Sequence, residues 1–399
     1  MDLIKPALYN AQLTRTLGHA SYQGAEIGEC LTVATQIETA NRESWYEQWL
    51  NLAHKNLAKA EYFSQRKQQL DAKLAFLRAS NYYRTAYFFL EDEPHDPRIE
   101  YALKLSISSF KKAINFFTSP VETISIPFEQ ANLPGYLYLA PATDKKPKPL
   151  IIDTGGGDGT KEESYFNVAA EAIQRGFHCL SLEGPGQGSV LRLDKIPFIP
   201  DWERVIEAVI DYIIHHPEID EQRIVLIGRS FGGYLAGRAV TKERRIAACI
   251  VDPGILDSMG SLEQKCRTAV QKNCPELGHA PLPQIIEYLM KIDNNLRFML
   301  ASRLWRFGAH TIEDLVEQTH RYTLKGIVED IQCPMLVCDN TLEYITPGQA
   351  QQFYDQLRCK KHYVLFNEEN GTGGHCEPLA PRLFYAEVYS WLADCLKRG

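Results

Sequence analysis

Up to residue 118 the apolar residues recur at steps of three and four, and past residue 120 they gather into short runs; the change of period divides the chain. Leu103, Ile107, Phe110, Ile114 and Phe117 form one stripe of a long amphipathic helix. Trp45, Trp49 and Leu52 begin a second stripe, and Leu70, Leu74 and Leu77 a third. Pro94 and Pro97 punctuate the helices between Leu90 and Ile99. Residues 1–118 therefore read as an all-helical domain. Its aromatic cluster, Tyr82, Tyr83, Tyr87, Phe88 and Phe89, suits packing against the rest of the protein better than direct substrate contact.

Residues 119–399 read as a second, α/β domain. Val121 to Pro127 and Gly135 to Ala140 predict an antiparallel pair around the turn Asn132-Leu133-Pro134-Gly135. Strands are then expected at Leu150 to Ile152, Phe177 to Leu182, Arg223 to Ile227, Ile246 to Val251, Met335 to Cys338 and Tyr363 to Phe366. Helical patterns near 162–175, 202–215, 232–243, 348–357 and 382–396 separate most of them. Such alternation predicts a mostly parallel, doubly wound sheet covered on both faces. The interval 258–328 carries helical patterns only and reads as an insertion that forms a cap.

Composition narrows the function classes. With 45% apolar and 23% charged residues, the 399-residue chain is ordinary for a soluble globular protein. A net charge of −7, spread along the sequence, argues against nucleic acid as a partner. No apolar run approaches the roughly eighteen residues that span a bilayer, so no membrane partner is expected. The N-terminal residues lack a basic segment followed by an apolar stretch, and the expected compartment is the cytoplasm. The 10 cysteines are scattered and never form Cys-x-x-Cys, which supports neither a zinc site nor a disulfide framework. No metal and no cofactor are expected.

The chemistry gathers around Gly228-Arg229-Ser230-Phe231-Gly232-Gly233, which follows the buried run Arg223-Ile224-Val225-Leu226-Ile227. Gly-x-Ser-x-Gly between strand and helix is a nucleophile elbow, a turn so tight that its flanks must be small while the serine hydroxyl projects alone. The competing reading is a Gly-rich turn that happens to hold a serine. In this order of elements a helper histidine follows the last strand. His375 does so, in the permissive loop Asn370-Gly371-Thr372-Gly373-Gly374-His375, whereas His362 opens that strand at its wrong end. An oxyanion hole requires two backbone N–H groups aimed where negative oxygen develops. Phe231, directly after the serine, supplies one, and Gly156 or Gly157 in the loop after Leu150-Ile151-Ile152-Asp153-Thr154 is the candidate for the other. A dinucleotide fingerprint is a weaker reading of that loop and of Gly184-Pro185-Gly186-Gln187-Gly188, because neither shows Gly-x-Gly-x-x-Gly.

These motifs, with Ile126-Pro127-Phe128, Leu133-Pro134-Gly135-Tyr136-Leu137, Gly155 to Glu163, Glu183 to Gly188, Asp201-Trp202-Glu203-Arg204, Pro347-Gly348-Gln349-Ala350 and the helical motif Leu77 to Ala86, resemble one branch of the α/β-hydrolases over nearly the whole chain. That branch includes bacterial dihydroxypseudooxynicotine hydrolase and fungal pigment hydrolases that shorten aromatic polyketides; FrsA-like esterases are more distant. The resemblance implies an α/β-hydrolase fold, a helical domain roofing the site and, often, a homodimer.

The third member of a triad has several candidates. In α/β-hydrolases the acid commonly stands four residues before a proline, as in Leu-Val-x-x-Gly-x-x-Asp-x-x-x-Pro. Leu336, Val337 and Pro347 fit that register and put Glu343 at the acid position, with Asn340 in place of the usual glycine. Asp339 is the alternative acid and Asp252 a more remote one. Relatives commonly carry an acidic pair and Asp where this chain has Leu342-Glu343. The expected activity is a serine hydrolase acting through an acyl-enzyme on a small-molecule ester, thioester or ketone, with carbon–carbon cleavage of an aromatic or polyketide-like substrate within its reach. The alternatives are an amidase or peptidase, and a hydrolase fold used as an inactive interaction module.

Overall fold

The structure, a computed structural model, describes residues 2–141 and 146–397. Its described strands form one eight-stranded sheet: β1 (Val121–Phe128), β2 (Ala131–Tyr138), β3 (Lys148–Asp153), β4 (His178–Leu182), β5 (Ile219–Arg229), β6 (Ala248–Asp252), β7 (Met335–Asn340) and β8 (Lys361–Phe366), in the spatial order β1-β2-β4-β3-β5-β6-β7-β8. β1 and β2 are antiparallel to their neighbours, and every pairing from β4 to β8 is parallel. This is the α/β-hydrolase architecture the motifs anticipate. β4 and β6 are buried at every position, as strands covered on both faces must be. Edge strand β1 instead alternates buried and exposed positions over its second half.

Helices Trp202–Ile213 and Gly232–Ala239 cover one face of the sheet with Trp202, Val205, Ile206, Val209 and Leu235 in its core. Helix Pro381–Cys395 and the segment 161–174 cover the other with Phe384, Tyr385, Val388 and Phe166. The segment 161–174 is one helical run with a π-helical turn at Tyr165–Ala169.

Two details differ from the sequence expectation. The β1–β2 turn lies at Glu129-Gln130, with Glu129 at φ +52°, and Asn132 to Gly135 run inside β2. Pro134 fits there because β4 pairs with β2 only from Gly135 on, so the missing N–H costs no bond on that side, while the Pro134 carbonyl accepts from the Glu183 N–H at 3.0 Å. Leu70 is 61% exposed, and the buried face of its helix, Gln69–Tyr87, is instead Ala72, Ala75, Phe76, Ala79 and Tyr83.

Helices Ala7–Gly18, Ile27–Gln36, Arg42–Gln65, Gln69–Tyr87 and Pro97–Ile114 precede the sheet. Asn41 and Asp96 cap the third and fifth through their side chains, and Pro97 opens the fifth where its missing N–H is harmless. Trp45, Trp49, Tyr82, Tyr83 and Tyr87 lie in the core these helices share, joined there by Phe298 from the insertion. The insertion contributes helices Ser258–Asn273, Leu282–Ile292, Asn294–Phe307 and Ile312–His320 around a small core of their own. Glu91 locks three parts of the chain together: wholly buried, it accepts from Arg192 beside the sheet and from Arg306 of the insertion. Among the described residues no helix is long and apolar enough to cross a membrane.

Candidate active site

Ser230 follows the C-terminal end of β5 with φ +57°, the left-handed conformation that a non-glycine residue rarely holds. Its own N–H donates to the Asp252 carbonyl at the end of β6 at 2.6 Å, and its carbonyl accepts from Gly233 at 2.8 Å. The turn closes so tightly that a Cβ on Gly232 would lie 2.2 Å from the Gly155 carbonyl oxygen. The loop after β3 thus rests directly against the elbow, and only a bare Cα fits between them.

The imidazole of His375 lies over this serine from a chain position 145 residues away, with Nε2 2.8 Å from Ser230 Oγ. Its Nδ1 is 2.6 Å from Glu343 Oε2. The other carboxylate oxygen of Glu343 accepts from the backbone N–H groups of Ile345 at 2.7 Å and Thr346 at 2.9 Å. Burial drives the Glu343 carboxyl up, but the charge and hydrogen bond of His375 and these two N–H groups outweigh it, and the group is held below its ordinary value. A carboxylate fixed this way orients the ring and stabilises an imidazolium.

The two rival acids point elsewhere. Asp339 accepts from the Tyr363 hydroxyl at 2.7 Å and from the Asn340 N–H, and burial holds its carboxyl above the usual range. Asp252 accepts from Arg229 Nε at 3.0 Å. Arg229, adjacent to Ser230, also donates to the carbonyl of Cys376, the residue after His375. Elbow and histidine loop are therefore clamped by one guanidinium.

Gly156 and Gly157 lie beside the serine. A Cβ on Gly156 would be 3.1 Å from the Ser230 Cβ, and one on Gly157 3.5 Å from the Phe231 Cβ. The N–H groups of Gly156, Gly157 and Phe231 are not taken up by hydrogen bonds elsewhere in the described chain. The second glycine-rich turn proves to be a buttress: Gln187 Nε2 donates to the carbonyls of Thr154 at 2.6 Å and Gly156 at 3.1 Å. Trp202 Nε1 adds a bond to the Thr154 hydroxyl at 2.7 Å.

Sequence reasoning missed the ion pairs that brace this loop from the N-terminal helices. Arg15 of helix Ala7–Gly18 reaches Asp158 at 2.5 Å and holds both oxygens of Glu163 at 2.6 Å. Arg84 adds a contact to each carboxylate at 3.4 Å. Burial would raise the Asp158 carboxyl, but Arg15 and Arg84 bring it well below the ordinary range. The one local signal was Asp158 itself, an acidic residue directly after three glycines. Nothing in the pattern of helix Ala7–Gly18 marks Arg15 as its partner.

A cavity of about 580 Å³ opens over Ser230. Gly155 to Gly157, Phe231 and His375 line its floor, and Arg15 and Phe88 from the N-terminal helices and Phe298, Arg303 and Phe307 from the insertion line its roof. Of the aromatic cluster read from the sequence, Tyr82, Tyr83 and Tyr87 are core, and Phe88 reaches the cavity.

A family profile described as "Alpha/beta hydrolase family" matches residues 154–387. Hydrolase LUC6 of Fusarium sp is 33% identical over 98% of this chain and 97% of its own length. The 20-hydroxy-prefusarin hydrolase FUS2 of Gibberella moniliformis is 32% identical over 96% of this chain and 95% of its own. Among solved structures, 2,6-dihydroxy-pseudo-oxynicotine hydrolase superposes with a TM-score of 0.74 at 20% identity, covering 95% of both chains, a likeness of fold.

Proposed function

From its membership of the α/β-hydrolase family and its kinship with fungal hydrolases, which make this chain a hydrolase, we propose that it acts as a serine hydrolase on a small carbonyl substrate through an acyl-enzyme. Ser230 Oγ adds to the carbonyl carbon as His375 Nε2 takes its proton. Glu343 keeps the ring in the tautomer that accepts at Nε2 and stabilises the imidazolium. The N–H groups of Phe231 and of Gly156 or Gly157 hold the tetrahedral oxyanion, a contribution typically about a hundredfold or more in rate per donor. Collapse expels the leaving group with the proton from His375. Water, deprotonated by the same ring, then adds to the acyl carbon and frees Ser230.

The observation that carries this reading is the unbroken line of hydrogen bonds Ser230–His375–Glu343, at 2.8 and 2.6 Å. The cavity supports a small organic substrate, since about 580 Å³ falls within the range of pockets for drug-sized molecules. FUS2, named for 20-hydroxy-prefusarin, points the same way. With an ester or thioester the leaving group departs as alcohol or thiol. With a ketone flanked by a second carbonyl the same addition expels an enolate, and the triad serves both.

A fluorophosphonate probe tests the chemistry. Labelling of the wild type and none of Ser230→Ala is expected; a folded wild type that resists the probe would overturn the proposal. Short acyl esters, thioesters, aryl amides and β-diketones, assayed side by side, then place the leaving group.

A further inference from the structure

Arg303, on helix Asn294–Phe307 of the insertion, lines the cavity shared with Ser230, yet its guanidinium makes no hydrogen bond and no ion pair among the described residues, and its Nη1 is fully shielded from solvent. A guanidinium offers five donors in a planar fork, and although Arg303 as a whole is half-buried, a shielded donor such as its Nη1 is costly without a partner. Other cationic side chains of the site are engaged: Arg15 on Asp158 and Glu163, Arg306 on Glu91, Arg229 on Asp252.

The surroundings of Arg303 make matters worse for it. The groups that act on its charge include the Arg306 guanidinium and the Lys265 ammonium, both cations, and the Cys266 thiol, which burial pushes up to about 11 and so keeps neutral. Burial first, then Arg306, brings Arg303 down to about 10, which still leaves it protonated at neutral pH. Lys265, also on the cavity wall, spends its ammonium on the backbone carbonyls of Tyr344 and Ile345 rather than on a carboxylate. Asp293, the acidic residue of the insertion on the cavity wall, turns an oxygen to the backbone N–H groups of Asn295 and Leu296, and Arg303 is left without a carboxylate partner.

We propose that Arg303 is the receptor for an anionic oxygen pair on the substrate, a carboxylate or the enolate of a 1,3-dicarbonyl, held in the cap while the scissile carbonyl lies against Ser230. A planar fork matches a pair of oxygens in one plane, and the ligand supplies the counter-charge the protein withholds. This deepens the hydrolase reading above and rests on it for the position of the scissile bond.

The test uses matched substrates. Mono-4-nitrophenyl glutarate carries a terminal carboxylate, and its methyl ester is the neutral counterpart; a 4-nitrophenyl ester bearing an enolisable 1,3-diketone at its far end and the α,α-dimethyl analogue of that ester form the enolate pair. Wild type should favour at least one anionic member by about tenfold to a hundredfold in kcat/KM, as charge-assisted hydrogen bonds warrant. In Arg303→Met that ratio should fall to about one. A wild type that prefers neither anion, or an Arg303→Met variant that keeps the preference, overturns the proposal.

Two readouts separate this role from others. Removing an unpartnered shielded charge should leave the melting temperature of the free protein unchanged or higher; a marked fall would assign Arg303 to the fold and overturn the proposal. Calorimetric binding of monomethyl glutarate to Ser230→Ala requires no turnover, so it holds even if the hydrolase reading fails. Binding weakened about tenfold or more by adding Arg303→Met supports the site, and equal binding by the two proteins ends it.

Discussion

The side-chain amide of Asn340 donates to the carbonyl of Gly374 over 3.0 Å, one residue before His375. The same amide nitrogen lies 3.1 Å from Thr372 Oγ1 and 2.9 Å from Glu377 Oε1, and the side-chain oxygen Oδ1 of Asn340 accepts from the Leu342 N–H at 2.9 Å. One buried residue therefore ties the loop that carries Glu343 to the loop that carries His375. It stands where the family pattern has glycine, and glycine could make none of these side-chain bonds. A histidine in a loop with glycines at 371, 373 and 374 gains its fixed position from such anchors.

Asn340→Gly should accordingly lower kcat by about tenfold or more while KM changes little, since a misplaced base weakens the transition state rather than substrate binding. It should also cost roughly 1–3 kcal/mol of stability, because Glu377 loses a buried donor. Steady-state kinetics on an ester, with urea denaturation alongside, separates the two effects. A stability loss with kcat intact would make Asn340 a structural residue only.

Glu343 and Asp339 stand four positions apart, and exchange of each for its amide tells them apart. Glu343→Gln should lower kcat by about three to four orders of magnitude, the scale seen when a triad acid loses its charge. Asp339→Asn should change it little, since the Tyr363 hydroxyl can still donate to the amide oxygen. Because folding holds the Glu343 carboxyl below its ordinary 4.5, its stabilising contribution is complete above that pH and is lost as the pH falls through the lowered value. Wild type should therefore lose part of its advantage over Glu343→Gln in acid, as read from urea midpoints at pH 7 and pH 4.

Much of this candidate site is legible in the sequence because it is local or ordered along the chain. The elbow is a six-residue motif after a buried strand, and both partner loops follow strands whose apolar runs announce them. Strand alternation gave the sheet for the same reason. What escaped notice depends on contacts between distant segments. Arg15 meets Asp158 across 143 positions, and Arg306 meets Glu91 across 215. An arginine on a helix face carries no mark of its partner. Pro134-Gly135 reads as punctuation and draws the expected β1–β2 turn toward it, whereas the pairing of β4 from Gly135 onward leaves room for proline in the strand.

The contact between the two glycine loops gives a steric prediction. A methyl group at Gly232 would meet the Gly155 carbonyl oxygen at 2.2 Å, a backbone atom that cannot swing aside. Gly232→Ala should push the loop bearing Gly156 and Gly157 away from Ser230 and lower kcat by about a hundredfold or more, as loss of an oxyanion donor does. Gly156→Ala meets the Ser230 Cβ and the Arg229 carbonyl at the milder distance of 3.1 Å and should cost less. Single-turnover acylation rates rank the two, and the opposite order would contradict the packing.

His19 supplies a pH dependence that has nothing to do with the reacting atoms. It is 4% exposed, between Asn81 of helix Gln69–Tyr87 and Asn167 of the sheet-packed segment, with Nδ1 and Nε2 at 3.0 and 3.1 Å from their side chains. Burial first, with Arg84 and Arg15 acting the same way against Glu163, brings the ring from 6.5 down to about 4. Between those values the unfolded chain binds a proton that the folded one refuses, so stability rises with pH across that window. The contribution is complete above pH 6.5 and is lost progressively as the pH falls toward 4. From pH 7 to pH 5 the loss should be about 2 kcal/mol. His19→Gln removes this proton but not the others, and its urea midpoint should fall less over the same interval than that of the wild type. Equal falls in the two proteins would show that His19 is not the group responsible. Because this joint holds the helix that carries Arg15 against Asp158 and Glu163 beside the Gly155 to Gly157 loop, mild acid should also lower wild-type activity reversibly before the chain unfolds.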